Sequence, residues 1–213
     1  MAPTESPFTE ITEREYALTS ADIKVVGWQQ ALVASQERQD AMAGLIASTL
    51  SPGIACQAGC WYCCYLKVDV RSEEVLQIVE YVRGSFSPAQ QQRLQDDVAE
   101  NAKALQAMSG EQQLTANLKC PLLEDGKCSV YAVRPARCRT LHATDVAGCR
   151  KAWEEPTNLN IPHTLAPALL YTGEAHLKGA RRAFTDAGHD GRVYELNAAL
   201  AVALAKRPDI SSA

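Results

Sequence analysis

Cys56-Gln57-Ala58-Gly59-Cys60-Trp61-Tyr62-Cys63-Cys64 places four cysteines within nine residues, spaced C-x3-C-x2-C-C. The other four of the chain's eight cysteines, Cys120, Cys128, Cys138 and Cys149, fall within a second segment of thirty residues. Cysteine is absent elsewhere, so the two islands read as halves of one site, or of two neighbouring sites, brought together by the fold. Thiolates are soft ligands that select zinc, copper(I) or iron–sulfur clusters over magnesium and calcium. A C-x2-C or C-x3-C spacing lets two sulfurs converge from a tight turn, and Gly59 lets the backbone bend beside them. The expected partner is therefore a metal ion: zinc, or iron in an iron–sulfur centre.

Working outward, the other half of the site is a hairpin. Asp125-Gly126 is a tight-turn pair between two short apolar arms over residues 118–131, which sets Cys120 and Cys128 at its base. Arg134 to Arg139 reads as loop or turn. A metal held by four thiolates carries a net negative charge, and the basic residues near the second island could offset it. Arg134 and Arg139, flanking Cys138, are the pair expected to hold the centre from outside its ligand set. The adjacent Cys63 and Cys64 favour two nearby sites, a polynuclear cluster, or one ligand beside a buried thiol, because neighbouring side chains usually diverge. Trp61 and Tyr62 are expected to pack over the site and limit water. His142 is a candidate replacement ligand four residues after Cys138, although a lone histidine more often caps a core. His163, His176 and His189 read as loop or helix-surface residues.

The rest of the chain reads as helix. Residues 1–18 are polar, with Pro3 and Pro7, and are expected to form a mobile tail. A helix is predicted from Thr19, with Val25, Trp28, Leu32, Met42, Leu45 and Ile46 at helical spacing, interrupted by Ser35 and Gln39. Ser51-Pro52-Gly53 ends it. Leu66 to Val70 alternates as a short extended segment. Ser72-Glu73-Glu74 starts a helix with Val75, Ile78, Val79 and Val82 buried, and Ser87-Pro88 starts another carrying Leu94, Val98 and Leu105. A short helix is predicted over 144–153, an alanine-rich one from Pro162 to about Ala187, and a last one burying Val193, Leu196, Leu200 and Leu204. The fold class is mainly α: a single helical domain over 19–206 with a cysteine-rich loop and a short β-hairpin, followed by a tail at 207–213.

Composition narrows the function classes. The 213 residues suffice for one ordinary domain, and 46% hydrophobic with 22% charged residues is a globular balance. A net charge of −4 with an isoelectric point near 5.6 argues against nucleic-acid binding, which calls for a basic face. No apolar run is long enough for a membrane span. The N-terminus lacks a secretory pattern. A cytoplasmic setting follows, where thiols stay reduced unless a metal or catalysis employs them. Whether a protein partner exists is left open by the sequence.

The two motifs together, C-x3-C-x2-C-C and then C-P-L-L-x-x-G-x-C-x-V-Y-x-x-R-P-x-x-C-R, resemble the YkgJ-type cysteine-cluster family. The resemblance covers about residues 54–150. It falls on Cys56, Cys60, Cys63 and Cys64, then on Cys120, Pro121, Leu122, Gly126, Cys128, Val130, Tyr131, Arg134, Pro135, Cys138 and Arg139. It implies zinc or iron chelation in a mostly helical bacterial protein, and no settled reaction; a related domain occurs in flagellin lysine N-methylases. Three functions stay open. The first is a metal-binding protein, the second an iron–sulfur enzyme of methyl or electron transfer, and the third a metal-free redox-active thiol protein. The C-x3-C-x2-C run also looks like the cluster motif of radical S-adenosylmethionine enzymes, but the alternation of strands and helices that such enzymes use is missing. Cys120-Pro121 is only a faint likeness to bacterial ferredoxins.

Overall fold

Ser6 and Pro7 begin the first helix. The Ser6 hydroxyl accepts the Phe8 N–H at 3.4 Å, and Pro7 occupies the first turn, where its missing N–H is no loss. The computed structural model describes residues 6–162 and 164–205. In chain order its elements are α1 (Pro7–Val26), α2 (Trp28–Ala47), β1 (Asp69–Val70), α3 (Ser72–Ser85), α4 (Pro88–Gln106), α5 (Gly110–Leu114), β2 (Leu123–Glu124), β3 (Lys127–Cys128), α6 (Ala136–Thr140), α7 (Val146–Glu154), α8 (Pro167–Asp186), β4 (Tyr194–Glu195) and α9 (Leu196–Ala205). Short 3-10 turns occupy Tyr62–Tyr65 and Tyr131–Val133. The described residues are mainly α-helical.

α1, α2 and α8 pack together as one bundle. Its α1–α8 contact depends on Gly179, where a Cβ would lie 2.3 Å from the Thr12 carbonyl oxygen. The residues that α1 buries are Thr12, Glu15 and Thr19, one helical face of polar side chains. The Thr12 hydroxyl donates to the Ala175 carbonyl at 2.9 Å. Arg38 grips Glu15 with two N–H groups at 2.8 and 2.9 Å and reaches Asp22 at 2.8 Å.

This corrects four expectations. Residues 7–18 are helix, not tail. Thr19 is an interior residue of α1 whose hydroxyl donates to Glu15 at 2.7 Å, not the start of a helix. On α2, Ser35 and Gln39 are buried, while Leu45 and, on α1, Val25 lie exposed. The expected stripe also runs across Gly27, whose φ of +82° breaks the helix there. His176, read as a surface residue, is buried between Ser35 and Glu15. The first five residues, the tail from 207 and the loop placement of His163 lie outside the described residues.

The other half is apolar. Val75, Ile78, Val79 and Val82 of α3 meet Leu94 and Val98 of α4 and Leu196, Leu200 and Leu204 of α9 in one cluster. α4 begins with a reciprocal cap, Ser87 Oγ accepting from the Gln90 N–H and the Gln90 carboxamide oxygen accepting from the Ser87 N–H. β1 and β4 pair antiparallel, Asp69 with Glu195 and Val70 with Tyr194, which ties the segment after the first cysteine island to the start of α9. Val193, expected inside, is half exposed. The hairpin forms as read: β2 and β3 pair Leu123 with Cys128, and Asp125 and Gly126 take φ of 48° and 73° at the turn. Arg134 to Arg139, expected as loop, includes the single helical turn α6. Gln39 Nε2 donates to the Ala136 carbonyl, and the Ala136 N–H donates to Glu74, so α6 ties the bundle to α3.

Candidate metal centre

The first island is a loop ended by the 3-10 turn. Gly59 takes φ +88°, which lets the Cys60 N–H return to the Gln57 carbonyl at 2.9 Å. The Ala55 N–H donates to the Ala143 carbonyl at 2.8 Å. In return the Ala143 N–H donates to the Cys56 sulfur at 3.2 Å. The 3-10 turn carries the adjacent Cys63 and Cys64, and the Cys64 thiol and then burial push the Cys63 thiol up. α7, capped by Asp145 through the Ala147 and Gly148 N–H groups, packs against this turn and carries Cys149.

The second island joins the first directly. The Cys120 N–H donates to the Cys64 carbonyl at 2.8 Å, and the hairpin turn at Gly126 lies beside the Trp61 ring. Cys120 lies outside the ladder, one turn before Leu123, rather than opposite Cys128. Cys120, Cys128 and Cys138 pack against the apolar cluster of α3, α4 and α9.

All eight cysteines are free thiols. Burial pushes Cys120 up to about 12, with Cys128 and Cys63 adding to the rise. Cys138 is raised by burial and then by Cys120, Cys63 and Cys128. Cys149 is raised by burial and then by Cys56, Cys60 and Cys63. Cys63 therefore stands between two neighbourhoods. One holds Cys56, Cys60 and Cys149, and the other holds Cys120, Cys128 and Cys138. The two islands meet.

The remaining expected residues fall as follows. The charges of Arg134 and Arg139 lower the Cys128 thiol against its burial, but their hydrogen bonds go elsewhere. Arg139 pairs with Asp40 and donates to the Arg134 and Ala132 carbonyls. Arg134 reaches Asp40 at 3.4 Å and lies over the Tyr131 ring. His142 has its Nε2 committed to the Arg139 carbonyl at 2.9 Å. Trp61 and Tyr62 belong to an aromatic group with Tyr65 and Trp153, the Trp61 and Trp153 rings edge to face at 5.1 Å. Trp153 and Tyr65 carry no motif in the sequence, and only aromatic content near a ligand run points to them.

Cys56, Cys60, Cys63 and Cys149 line one side of an open cleft of about 300 Å³. Cys64, Cys120, Cys128 and Cys138 do not line it. The thiols thus divide into an outer four on the cleft and an inner four off it, of which Cys120, Cys128 and Cys138 pack on the apolar core. As the chain stands, no three Cys, His, Asp or Glu side chains among the described residues are gathered tightly enough to hold an ion. The donor set nonetheless suits a soft metal: eight free thiols, with Cys56, Cys60, Cys63 and Cys149 in one electrostatic neighbourhood and Cys63, Cys120, Cys128 and Cys138 in another, and a backbone N–H already on Cys56. No curated protein and no solved structure matches the chain. Residues 55–162, half of the chain and reaching past α7 into the cleft wall, match the CxxCxxCC model, described as a "putative zinc- or iron-chelating domain", and by that match the protein belongs to the CxxCxxCC family.

Proposed function

We propose that this protein binds zinc or an iron–sulfur centre through its clustered thiolates, with the outer four and the inner four as separate ligand groups. Membership of a zinc- or iron-chelating family supports metal binding in general. The observation that carries the finer reading is the Cys120–Cys64 backbone hydrogen bond, which brings two islands more than fifty residues apart in sequence to one place. A bound ion supplies charge neutralisation to the thiolates, and zinc or iron in a thiolate set cross-links the loop, the hairpin and α7. The chain's own part is to present the sulfurs, to donate the Ala143 N–H to Cys56, and to cover the turn with Trp61 and Trp153. Arg134 and Arg139 act through charge, held in place by Asp40.

The free thiols support a reducing, cytoplasmic setting, and no helix of the described residues is long and apolar enough to cross a membrane. The negative net charge supports a role without nucleic acid. The cleft on the outer four favours a second reading, an iron–sulfur-dependent enzyme of methyl or electron transfer. Elemental analysis with a visible spectrum on anaerobically purified protein separates the readings. Two equivalents of zinc in colourless protein match two tetrathiolate groups and reject the enzyme reading; iron with sulfide in brown protein fits both readings, and the enzyme reading then also requires affinity for a small cosubstrate such as S-adenosylmethionine. Protein free of stoichiometric metal under those conditions rejects both.

A further inference from the structure

The outer four sulfurs stand on unequal supports. Cys56, Cys60 and Cys63 belong to the first-island loop and its 3-10 turn, whereas Cys149 stands on α7, in a strap that leaves the body at Ala143 and returns at Leu165. The base of the strap is clamped. Ala143 and Leu165 form an antiparallel bridge, the Thr144 N–H donates to the Thr164 carbonyl at 2.8 Å, and the Ala166 N–H donates to the His142 carbonyl at 2.7 Å. Beyond its base the strap is thinly packed. α7 buries none of its residues, and Ile161 is the one buried residue among those described from 144 to 164. Its far side is clasped at the surface, the Asn117 amide donating to the Trp153 carbonyl at 2.8 Å and Arg150 Nε to the Tyr62 hydroxyl at 3.1 Å. Segments with so few buried contacts open at far lower cost than the core does.

The inner sulfurs ride on the body. Cys120, Cys128 and Cys138 pack against the α3–α4–α9 cluster. Cys138 lies on α6, which Gln39 and Glu74 hold through buried hydrogen bonds. Cys120 borders a separate hollow of about 20 Å³, room for a single water. The outer four instead face the open cleft of about 300 Å³. As the chain stands, the sulfurs among the described residues are not drawn together to ion-holding distance, so a ligand-bearing element must move to complete a set. α7 can do so with no buried side chain to expose.

On the reading of two thiolate groups, on which this rests, we propose that the strap is a gate and Cys149 its latch. The outer four thiols form the exchangeable metal site, loaded and unloaded through the cleft as the strap opens, while the inner four keep their ion. The outer site trades metal with small soft-donor chelators, thiols or nitrogen bases. In that exchange Cys149 gives up its bond to the ion and takes a proton from water, and a donor atom of the incoming chelator supplies the lone pair that fills the vacated position. No electron is transferred.

The test uses the full chain, purified anaerobically and loaded with zinc, mixed with excess of the chromophoric chelator pyridylazoresorcinol while zinc transfer is followed by absorbance. Expected is release in two equal phases, the second about a hundredfold slower because it needs the core to open. Cys149→Ser should remove the fast phase and leave the slow one. Asn117→Ala combined with Arg150→Ala, both at exposed positions, should quicken the fast phase about tenfold, the worth of two exposed hydrogen bonds, and leave the slow phase unchanged. Hydrogen exchange read by mass spectrometry should show the α7 amides losing protection once the fast zinc is gone, with the α3 amides unaffected. Release of both equivalents at one rate overturns the gate and keeps the metal reading. So does α7 protection indifferent to the fast zinc, or a fast phase that survives Cys149→Ser. Failure to load two equivalents of zinc rejects the two-group reading and the gate together.

Discussion

The α1–α2–α8 bundle and the α3–α4–α9 half are both buried, but the bundle sets a polar network beside a small apolar cluster of Ala31, Leu32 and Phe184, whereas the other half rests on a larger apolar cluster. The first closes over Glu15, Thr19, Ser35, Gln39, Arg38 and His176, joined by hydrogen bonds and ion pairs. The second closes over valine, isoleucine and leucine, and Cys120, Cys128 and Cys138 lean on it. An apolar core tolerates local error at the cost of lost area, whereas a polar core depends on every partner being present. The metal reading places its ligands on the tolerant half.

The largest expected effect tests that placement. Cys138→Ser removes a thiol from the apolar side and should abolish metal retention together with cooperative unfolding, because apparent zinc affinities of about 10–16 kcal/mol become folding free energy in metal-dependent folds. Cys60→Ser, on the cleft, should lose about half the metal and keep a cooperative melt. Equal behaviour of the two variants in calorimetry and elemental analysis would erase the distinction between inner and outer thiols.

Next come single changes in each core. Ile78→Ala should cost about 3 kcal/mol by urea unfolding. Glu15→Ala should cost about as much, about 3 kcal/mol, by leaving Arg38 and His176 facing a missing charge. The two differ in their pH dependence. Arg38 and Thr19 hold the Glu15 carboxyl below its ordinary value of 4.5 against burial. A depressed carboxyl stabilises above the unfolded value and stops doing so as pH falls through the folded one. The cost of Glu15→Ala should therefore shrink in acid while that of Ile78→Ala stays level. Gly179→Ala comes third, at about 2 kcal/mol, since its Cβ meets a backbone oxygen that must move. A neutral result there would deny the close α1–α8 approach.

The smallest effect is titration of His176. Burial holds it below 6.5, although Glu15 pulls the other way. The folded state binds the proton later than the unfolded one, so stability is full above the ordinary histidine range and declines as pH falls through it. Glu74, raised by burial, contributes the opposite slope above 4.5. The measurement is therefore the stability of wild type minus that of His176→Asn from pH 7.5 to 5.5, a difference that should decline as pH falls.

The same contrast explains what could be read from the sequence. α3 and α4 were legible because their buried faces are apolar at helical spacing; α4 also carries the expected Ser87 cap, whereas in α3 Ser72 lies in the first turn after Arg71 and does not cap it. The hairpin was legible because Asp125-Gly126 demands two left-handed residues. α1 was not, since Thr12, Glu15 and Thr19 share its buried face and no hydropathy pattern marks them. β4 is two residues long and is made by its pairing with β1. The meeting of the cysteine islands followed from their spacing, but the cleft did not: its walls come from residues 62–66, 114–117 and 141–165, which only the fold brings together. The partition of the thiols into four and four depends on that cleft and was equally hidden.

The hairpin turn lying on Trp61, with Trp153 across from it, has an optical consequence. Of the chain's three tryptophans, these two sit beside the sulfurs, while Trp28 packs far off in the bundle against His189. In a Trp28→Phe background all indole emission comes from the thiol end. A brown iron–sulfur chromophore there should extinguish that glow by energy transfer, and a spectroscopically silent zinc ion should leave it bright. The protein thus carries its own lamp for telling the two metals apart.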